Sequence, residues 1–299
     1  MNKGMSKSMH LGIELVEQAF ERMRPKEISQ LRSNPKERIV VIKGNYDQVE
    51  KILANARLPY KLLNRFPDKK DLNQGGKYRD CKIIFANCDS SYHEDLDEKN
   101  VTRENKRSII DFVENGGRLI TTDWAVNIAK YLFGKPRVKQ DITDDEVVRV
   151  KFSSDRAREM AGITYGNASP KWWLESSSDI IHIPKNSGIV SLIESDDLNE
   201  KYGSPHIATG FNHGTGEVFN FISHLIAQRL KNYDKRDREC IEAFLNATNT
   251  TLRSTNKSKL TFGDIETTYT LMHTVIELCR DEKILNKSYQ LKGGNIENV

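Results

Sequence analysis

The fold of this chain is decided by the stretch Phe112-Val-Glu-Asn-Gly-Gly-Arg-Leu-Ile-Thr-Thr-Asp-Trp-Ala125. Its order predicts the end of a helix, a glycine stop, a short buried strand and a sharp exit into a second helix. Gly116 and Gly117 suit a helix C-terminus because glycine adopts the left-handed conformation without a Cβ clash. In open α/β sheets, ligands and catalytic groups collect where a central strand ends. The residues after Thr122 are therefore the first candidates for a functional site.

Helices are predicted on both sides of this strand. The helix before it, near 101–115, has an apolar stripe formed by Ile109, Ile110 and Val113. The helix after it runs from 125 to 133 and ends at Gly134. Asp123 is placed to act as the N-cap of this second helix, by accepting backbone N–H groups.

Three further apolar runs precede this region, at 38–44, 60–64 and 81–88. The continuous β-branched residues of the first run are typical of a parallel strand that is covered on both faces. A helix with Val49, Ile52 and Leu53 on one side follows the first run, and the polar loop 67–78 precedes the third. This alternation predicts an α/β fold with a doubly wound, mostly parallel, flavodoxin-like sheet. The runs 38–44, 60–64, 81–87 and 118–122 are expected to be parallel neighbours in it.

The pattern changes after Pro136. A strand is predicted within 144–152, an aromatic segment covers 169–175, and two short strands occupy 180–184 and 188–193. Residues 206–223 form a hairpin with a glycine-containing turn. We expect this antiparallel extension to deliver His224 to the edge where the parallel strands end.

Both ends of the chain are predicted to be helical additions. Residues 9–24 form an apolar stripe, and 25–37 are interpreted as a polar linker. Residues 231–245 and 264–285 are predicted helices. The domain division is therefore 1–36, 37–230 and 231–299. Helix 9–24 either packs on the outside of the domain or binds a partner, so the terminal helices are the predicted surface for a protein partner or self-association.

Composition restricts the function classes. The chain has 299 residues, and its 46 basic and 42 acidic residues give a net charge of +4, too balanced to favour nucleic acid. No apolar run approaches the roughly 18 residues of a membrane span, and the N-terminus has no signal-peptide pattern. The four cysteines show no CxxC spacing, which argues against a disulfide framework. We predict a cytoplasmic protein without a cofactor.

Three segments resemble the class I glutamine amidotransferase-like superfamily, and more narrowly its ThuA-like members that lack the catalytic cysteine. They are the strand 82–88, the opening stretch at 112–124, and Gly214-Thr-Gly-Glu-Val-Phe-Asn-Phe-Ile-Ser-His224. The resemblance covers about residues 38–230, which makes 37–230 the amidotransferase-like domain. It implies the fold of that superfamily.

The resemblance does not extend to the family's catalytic residues. Active members carry a Cys on the elbow after the strand matching 118–122, and a His followed two residues later by Glu. Here the elbow holds Thr122 and Asp123, while His224 is kept and is followed by Leu225 and Ile226. The resemblance therefore implies the fold without the glutaminase nucleophile or triad acid.

The catalytic candidates are Cys88, Asp123 and His224. As a nucleophile, Cys88 would need His93 or His224 as its base; the alternative is a buried structural cysteine. Asp123 is either a general acid or base, or only the helix cap. The residues expected to bind a ligand at the sheet edge are Asn87, Thr122, Asp123, Trp124, His213 and His224. A metal site from Asp123, His213 and His224 has suitable residue types, but no spacing demands it, and none is predicted.

Two functions follow from these observations. The first is a non-hydrolytic binding, regulatory or assembly module, favoured because the elbow nucleophile is missing. The alternative is a hydrolase for a small amide or sugar-like substrate, using Cys88 or Asp123 with His224. The pair Trp172 and Trp173 is expected to place one ring in the core and the other in a pocket, unless both only pack.

Overall fold

The computed structural model describes residues 7–72, 75–93, 96–99, 101–140, 142–153, 171–225, 245–246, 249–251 and 271–280. The helices are α1 Lys7–Met23, α2 Pro25–Ser33, α3 Val49–Asn55, α4 Lys69–Leu72, α5 Arg103–Glu114, α6 Val126–Phe133 and α7 Asp196–Tyr202. The strands are β1 Ile39–Ile42, β2 Lys61–Leu63, β3 Ile83–Ala86, β4 Arg118–Thr122, β5 Arg137–Lys139, β6 Glu146–Arg149, β7 Lys151–Phe152, β8 Lys171–Leu174, β9 Ile180–His182, β10 Ile189–Glu194, β11 His206–His213 and β12 Gly216–Phe221.

The central sheet has the strand order β2-β1-β3-β4-β12-β11-β10-β7. Strands β2, β1, β3, β4 and β12 are parallel, which confirms the predicted neighbours. Strands β11, β10 and β7 pair antiparallel, and the β11–β12 pair is the hairpin predicted at 206–223. Two small antiparallel sheets, β5 with β9 and β6 with β8, flank it. The α/β fold class is confirmed.

The parallel strands β1, β3, β4 and β12 are buried on both faces because their side chains alternate between two cores, whereas the edge strand β2 is partly exposed. Val41, Phe85 and Ile120 enter the core that also contains α1 and α3. Val40, Ile84 and Leu119 enter the opposite core. Helices α5 and α6 cover this second core with Ile109, Val113, Ile128 and Ala129.

Buried apolar residues of α1 and of the helical segment 271–278 lie in one core of this chain. The rings of Phe20 and His273 lie 5.1 Å apart, and Arg24 forms an ion pair with Glu277. A role of these ends in partner binding stays a prediction. The predicted helix 231–245 lies almost wholly outside the described residues.

Two local predictions were wrong. The segment 25–37 is not a linker, because Pro25 begins α2 at a position where its missing N–H costs nothing, and Ile28 and Leu31 are buried. The predicted strand at 144–152 is divided into β6 and β7, which pair with different sheets. The helix end at Gly134 is confirmed, with φ of 70°.

Among the described residues, no helix combines the length and apolar character needed to cross a membrane.

Candidate functional site

Four chain segments meet at the carboxyl edge of the parallel strands. Asp47 follows β1, Cys88 follows β3, Asp123 follows β4 and His224 follows β12. All four side chains are buried. The edge predicted from the topology therefore holds the three predicted catalytic candidates together, and adds Asp47.

Asp123 occupies the sharp elbow after β4. Its φ is 47°, a left-handed conformation that Asp tolerates better than most residues but that is uncommon outside glycine. The side chain turns inward, and its Oδ2 accepts the thiol hydrogen of Cys88 at 3.3 Å. The predicted N-cap role was wrong, because Ala125 occupies the cap of α6 and no side chain caps that helix. The carboxylate serves the edge cluster instead.

His224 lies between two carboxylates. Its Nε2 is 3.2 Å from Oδ2 of Asp123, and its Nδ1 is 3.0 Å from Oε2 of Glu175. Burial disfavours the charged imidazole, but the hydrogen bond to Asp123 and the charges of Asp123, Asp47 and Glu175 outweigh it. Together they raise the pKa of His224 to about 9. The imidazole is consequently protonated at neutral pH.

Glu175 was not predicted as a site residue. It follows directly after β8. Trp173, on that strand, places its ring edge-on to the imidazole of His224, with 6.3 Å between ring centroids. Trp172 and Trp173 are both buried, so the two rings pack, and one of them packs on the site. The only sequence signal was the acid that ends this aromatic run.

Asp47 was also missed. Its Oδ1 accepts the N–H of Gln48 at 2.8 Å, and its Oδ2 accepts the N–H of Leu225 at 2.9 Å. The second bond fixes the backbone next to His224. The available signal was an acidic residue shortly after the first buried strand, a position that topology places at this edge.

Cys88 is fully buried and held as a thiol. Burial, followed by the charge of Asp123, raises its pKa well above the ordinary value. Its backbone N–H donates to Oγ1 of Thr122 at 3.0 Å, which ties the β3 loop to β4. A reactive thiolate needs a partly exposed environment, whereas Cys88 is fully buried and its thiol is bonded to the Asp123 carboxylate.

The other predicted ligand residues have different positions. Asn87 and Thr122 lie at the edge but are fully buried, and Asn87 accepts the N–H of Val49 at the start of α3. Trp124 is half-buried; its Nε1 donates to the carbonyl of Ser177 at 2.8 Å, and its ring contacts His93, with 4.3 Å between centroids.

His213 lies at the other end of the sheet. It pairs with Gly216, where β12 begins, because β11 runs antiparallel to the strands that end at the cluster. Including His213 among the edge ligands was therefore wrong, and His213 lies too far along the sheet to join Asp123 and His224 in one site. The described structure brings together Cys88, Asp123 and His224 instead.

Comparison with known proteins identifies structures with a similar fold. No protein-family model matches the chain, and no curated protein sequence matches it. The structure is similar to a glutamine amidotransferase from Methylobacillus flagellatus, with a TM-score of 0.51 at 13% identity, covering 82% of this chain and 94% of the other. This chain has a glutamine amidotransferase-like fold.

Two other solved structures are similar to this chain. A glutamine amidotransferase from Thermotoga maritima has a TM-score of 0.46 at 11% identity, over 82% of this chain and 97% of the other. A putative ThuA-like protein from Bacteroides uniformis has a TM-score of 0.41 at 8% identity, over 72% and 90%. At these identities the likeness concerns the fold alone.

Proposed function

We propose that this chain is a non-hydrolytic, amidotransferase-like binding module, whose ligand site is the edge cluster of Cys88, Asp123 and His224. The observation that carries the proposal is the residue on the elbow. Asp123 stands after β4, and its carboxylate is bound by both the Cys88 thiol and His224. The thiol and the imidazole are thus engaged with a carboxylate rather than with each other.

The protonation states support the same conclusion. Nucleophilic thiol chemistry needs a thiolate and a base that accepts its proton. Cys88 has a raised pKa and no exposed surface, and His224 already holds its proton at neutral pH. A binding module does not use Cys88 as a nucleophile or His224 as the base that activates it.

One observation favours a hydrolase as the second candidate. Asp123 has a left-handed backbone conformation at the elbow. Its carboxylate contacts His224, and the other ring nitrogen of His224 contacts Glu175. A carboxylate can serve as a nucleophile, and strained backbone gathers at active sites. In this alternative, Asp123 would attack a small amide or sugar-like substrate, and His224 would give its proton to the leaving group.

Turnover measurements separate the two functions. Purified full-length protein is incubated with glutamine, followed by ammonia release, and with activated esters and glycosides, followed by chromophore release. We expect no turnover above buffer. Turnover that is lost in Asp123→Asn but kept in Cys88→Ser would replace the proposal with the Asp123 hydrolase. Turnover lost in Cys88→Ser would favour thiol chemistry.

Thiol labelling provides a second test, read by peptide mass spectrometry. Cys88 and Cys81 are both buried on the β3 segment, so Cys81 is a matched control. We expect both thiols to react only when the protein unfolds. Selective, rapid labelling of Cys88 in the native protein would contradict the binding-module proposal.

The partner prediction belongs to the same proposal. The apolar face of α1 is occupied within the chain, so a protein partner would contact the outer, polar side of α1 or α2. Sedimentation of the full chain at increasing concentration measures self-association. A monomer at all concentrations would remove self-association from the proposal and leave the edge site unaffected.

A further inference from the structure

We infer that Cys88, Asp123 and His224 form a binding site for one divalent transition-metal ion, with Zn²⁺ as the best chemical match. The inference rests on the proposed function, because it names the ligand of the same edge cluster. The three side chains each direct one donor atom into the cluster, and these atoms all lie within 4.8 Å of one another. The three residues come from three different strand ends.

Two of the three distances between donor atoms match a tetrahedral site. Zinc bonds of about 2.3 Å to sulfur and about 2.0 Å to nitrogen and oxygen put the ligand atoms about 3.5 Å (S···O) and about 3.3 Å (N···O) apart. The observed separations are 3.3 Å between Cys88 Sγ and Asp123 Oδ2, and 3.2 Å between His224 Nε2 and Asp123 Oδ2. The donor atoms of all three residues, Cys88 and His224 included, lie within 4.8 Å of one another, close enough for one zinc ion to contact all three.

The donor types select the metal class. A thiolate, an imidazole and a carboxylate are zinc ligands, and the soft thiolate disfavours Mg²⁺ and Ca²⁺, which prefer oxygen. Three protein ligands leave one coordination position for a water or a donor group of a small ligand, as in zinc sites that are open to substrate.

The surroundings of His224 match those of a metal-ligating histidine. Such a histidine usually binds a carboxylate through its other ring nitrogen, which fixes its orientation. Here Nε2 faces the cluster, while Nδ1 lies 3.0 Å from Oε2 of Glu175. Glu175 would thus be a positioning residue. The bond from the Leu225 N–H to Asp47 holds the adjacent backbone.

An independent observation concerns the second oxygen of Asp123. Asp123 is 97% shielded from solvent, with 3% exposure, and among the described residues no donor forms a hydrogen bond with its Oδ1. A buried carboxylate oxygen without a donor is costly. A cation beside this carboxylate would satisfy it, because a metal ion attracts both oxygens.

Binding requires no change of oxidation state. The Cys88 S–H bond breaks, its proton leaves to solvent, and the sulfur electron pair forms the metal bond. Any proton on Nε2 of His224 leaves in the same way. Because protons compete with the metal for these ligands, affinity should rise with pH.

The test uses the full chain after treatment with a chelator. Zn²⁺ and Co²⁺ are titrated separately, with stoichiometry from calorimetry and elemental analysis and with cobalt absorption as the structural readout. We expect one ion per chain and a thiolate-to-cobalt charge-transfer band. Cys88→Ser should abolish that band, whereas Cys81→Ser, the matched buried-thiol control, should retain it. Glu175→Gln should weaken affinity about 10-fold to 100-fold.

The variants are first checked for folding by circular dichroism, since His224 substitutions alone could unfold the domain. Absence of stoichiometric binding in folded wild type, or binding unchanged by both Cys88→Ser and Asp123→Asn, would overturn the inference. If neither metal binding nor turnover is found, only the metal inference fails. If a metal-loaded protein turns over substrates and Cys88→Ser removes both properties, the metal site stands and the non-hydrolytic proposal fails.

Discussion

Nε2 of His224 lies 3.2 Å from Oδ2 of Asp123, and both side chains are almost completely shielded from solvent. The pair joins the exit of β4 to the exit of β12, which are adjacent parallel strands. Removing one partner of a buried ion pair leaves an uncompensated charge, and this costs far more than the pair itself contributes. The geometry therefore makes the cluster important for stability as well as for binding.

The first prediction follows from this pair. His224→Ala should lower the free energy of unfolding by about 3 to 5 kcal/mol, because Asp123 keeps a buried charge without its cation. Urea unfolding measures the change. His213→Ala, which loses only surface and ring contacts at the other sheet edge, should cost less than about 1 kcal/mol. Equal stability of wild type and His224→Ala would show that the pair is not needed for folding.

Trp124→Ala tests the neighbouring half-buried ring. It loses the hydrogen bond to the Ser177 carbonyl and the ring contacts with His93 and Tyr46. Trp124→Ala should lower the free energy of unfolding by about 1 to 3 kcal/mol, which is less than His224→Ala should. Both variants are measured by urea unfolding. A larger decrease in the free energy of unfolding for Trp124→Ala than for His224→Ala would contradict this prediction.

A second buried ion pair is predicted to anchor the C-terminal segment. Arg118 lies 2.7 Å from Glu217 on the neighbouring strand, and its guanidinium also donates to the carbonyl of Arg280 at 2.9 Å. Arg118→Met should destabilise the protein by about 3 to 5 kcal/mol, since Glu217 stays buried without its partner. The double variant Arg118→Met with Glu217→Leu should regain most of the stability that Arg118→Met loses. Thermal melting of both variants measures this.

An exposed pair provides the control for Arg118. Arg149 pairs with Asp197 at the surface. Arg149→Met should leave the melting temperature nearly unchanged, because exposed pairs contribute little. Similar melting shifts for Arg118→Met and Arg149→Met would contradict the assigned role of the buried pair.

Glu50 is predicted to make stability depend on pH. Burial raises its pKa above the ordinary value of 4.5, against the hydrogen bond from Asn87. The folded protein thus keeps a proton that the unfolded chain loses near pH 4.5, so stability falls as pH rises from there through the folded pKa. Glu50→Gln should reduce this fall and stabilise the protein at neutral pH. Urea unfolding of wild type and Glu50→Gln at a series of pH values from 4.5 upward measures this. If the free energy of unfolding changed with pH in the same way in both proteins, the prediction would be contradicted.

Gly44 is predicted to set the spacing between the β1 exit and the Cys88 loop. A Cβ on Gly44 would lie 2.2 Å from the carbonyl oxygen of Cys88 and 2.8 Å from Cβ of Asn87. Gly44→Ala should cost about 1 to 3 kcal/mol by overpacking and should displace Cys88. Gly203→Ala is the control for backbone strain without overpacking, because Gly203 has a φ of 77° and a Cβ there meets open space. Faster Cys88 labelling is expected in Gly44→Ala but not in Gly203→Ala.

Ile84 tests the core. It is fully buried on β3, so Ile84→Asp should destabilise the protein by more than about 3 kcal/mol or make it insoluble. Leu62→Asp on the adjacent edge of the sheet is the control, because Leu62 is 40% exposed. A soluble Ile84→Asp protein with wild-type melting would contradict the assigned core.

The sequence by itself determined the parallel sheet and the edge where the site lies. Continuous apolar runs specify strands buried on both faces, and parallel strands that share one direction must end on the same side. Cys88, Asp123 and His224 could therefore be placed together from the positions of their strands alone. The cytoplasmic location and the partner stay predictions.

The tertiary structure alone decided which groups complete the cluster. Glu175 contacts His224 and Asp47 binds the adjacent Leu225 N–H, each from another loop, and no local pattern states how far a loop turns or where its carboxylate points. His213 was misplaced because the antiparallel β11 carries it away from the edge. The sequence left Asp123 open between a helix cap and a site residue, because a backbone pattern cannot distinguish an acid that accepts N–H groups from one turned toward a buried imidazole. Local sequence sets backbone conformation through near neighbours, whereas the partner of a buried charge is set by packing between distant segments.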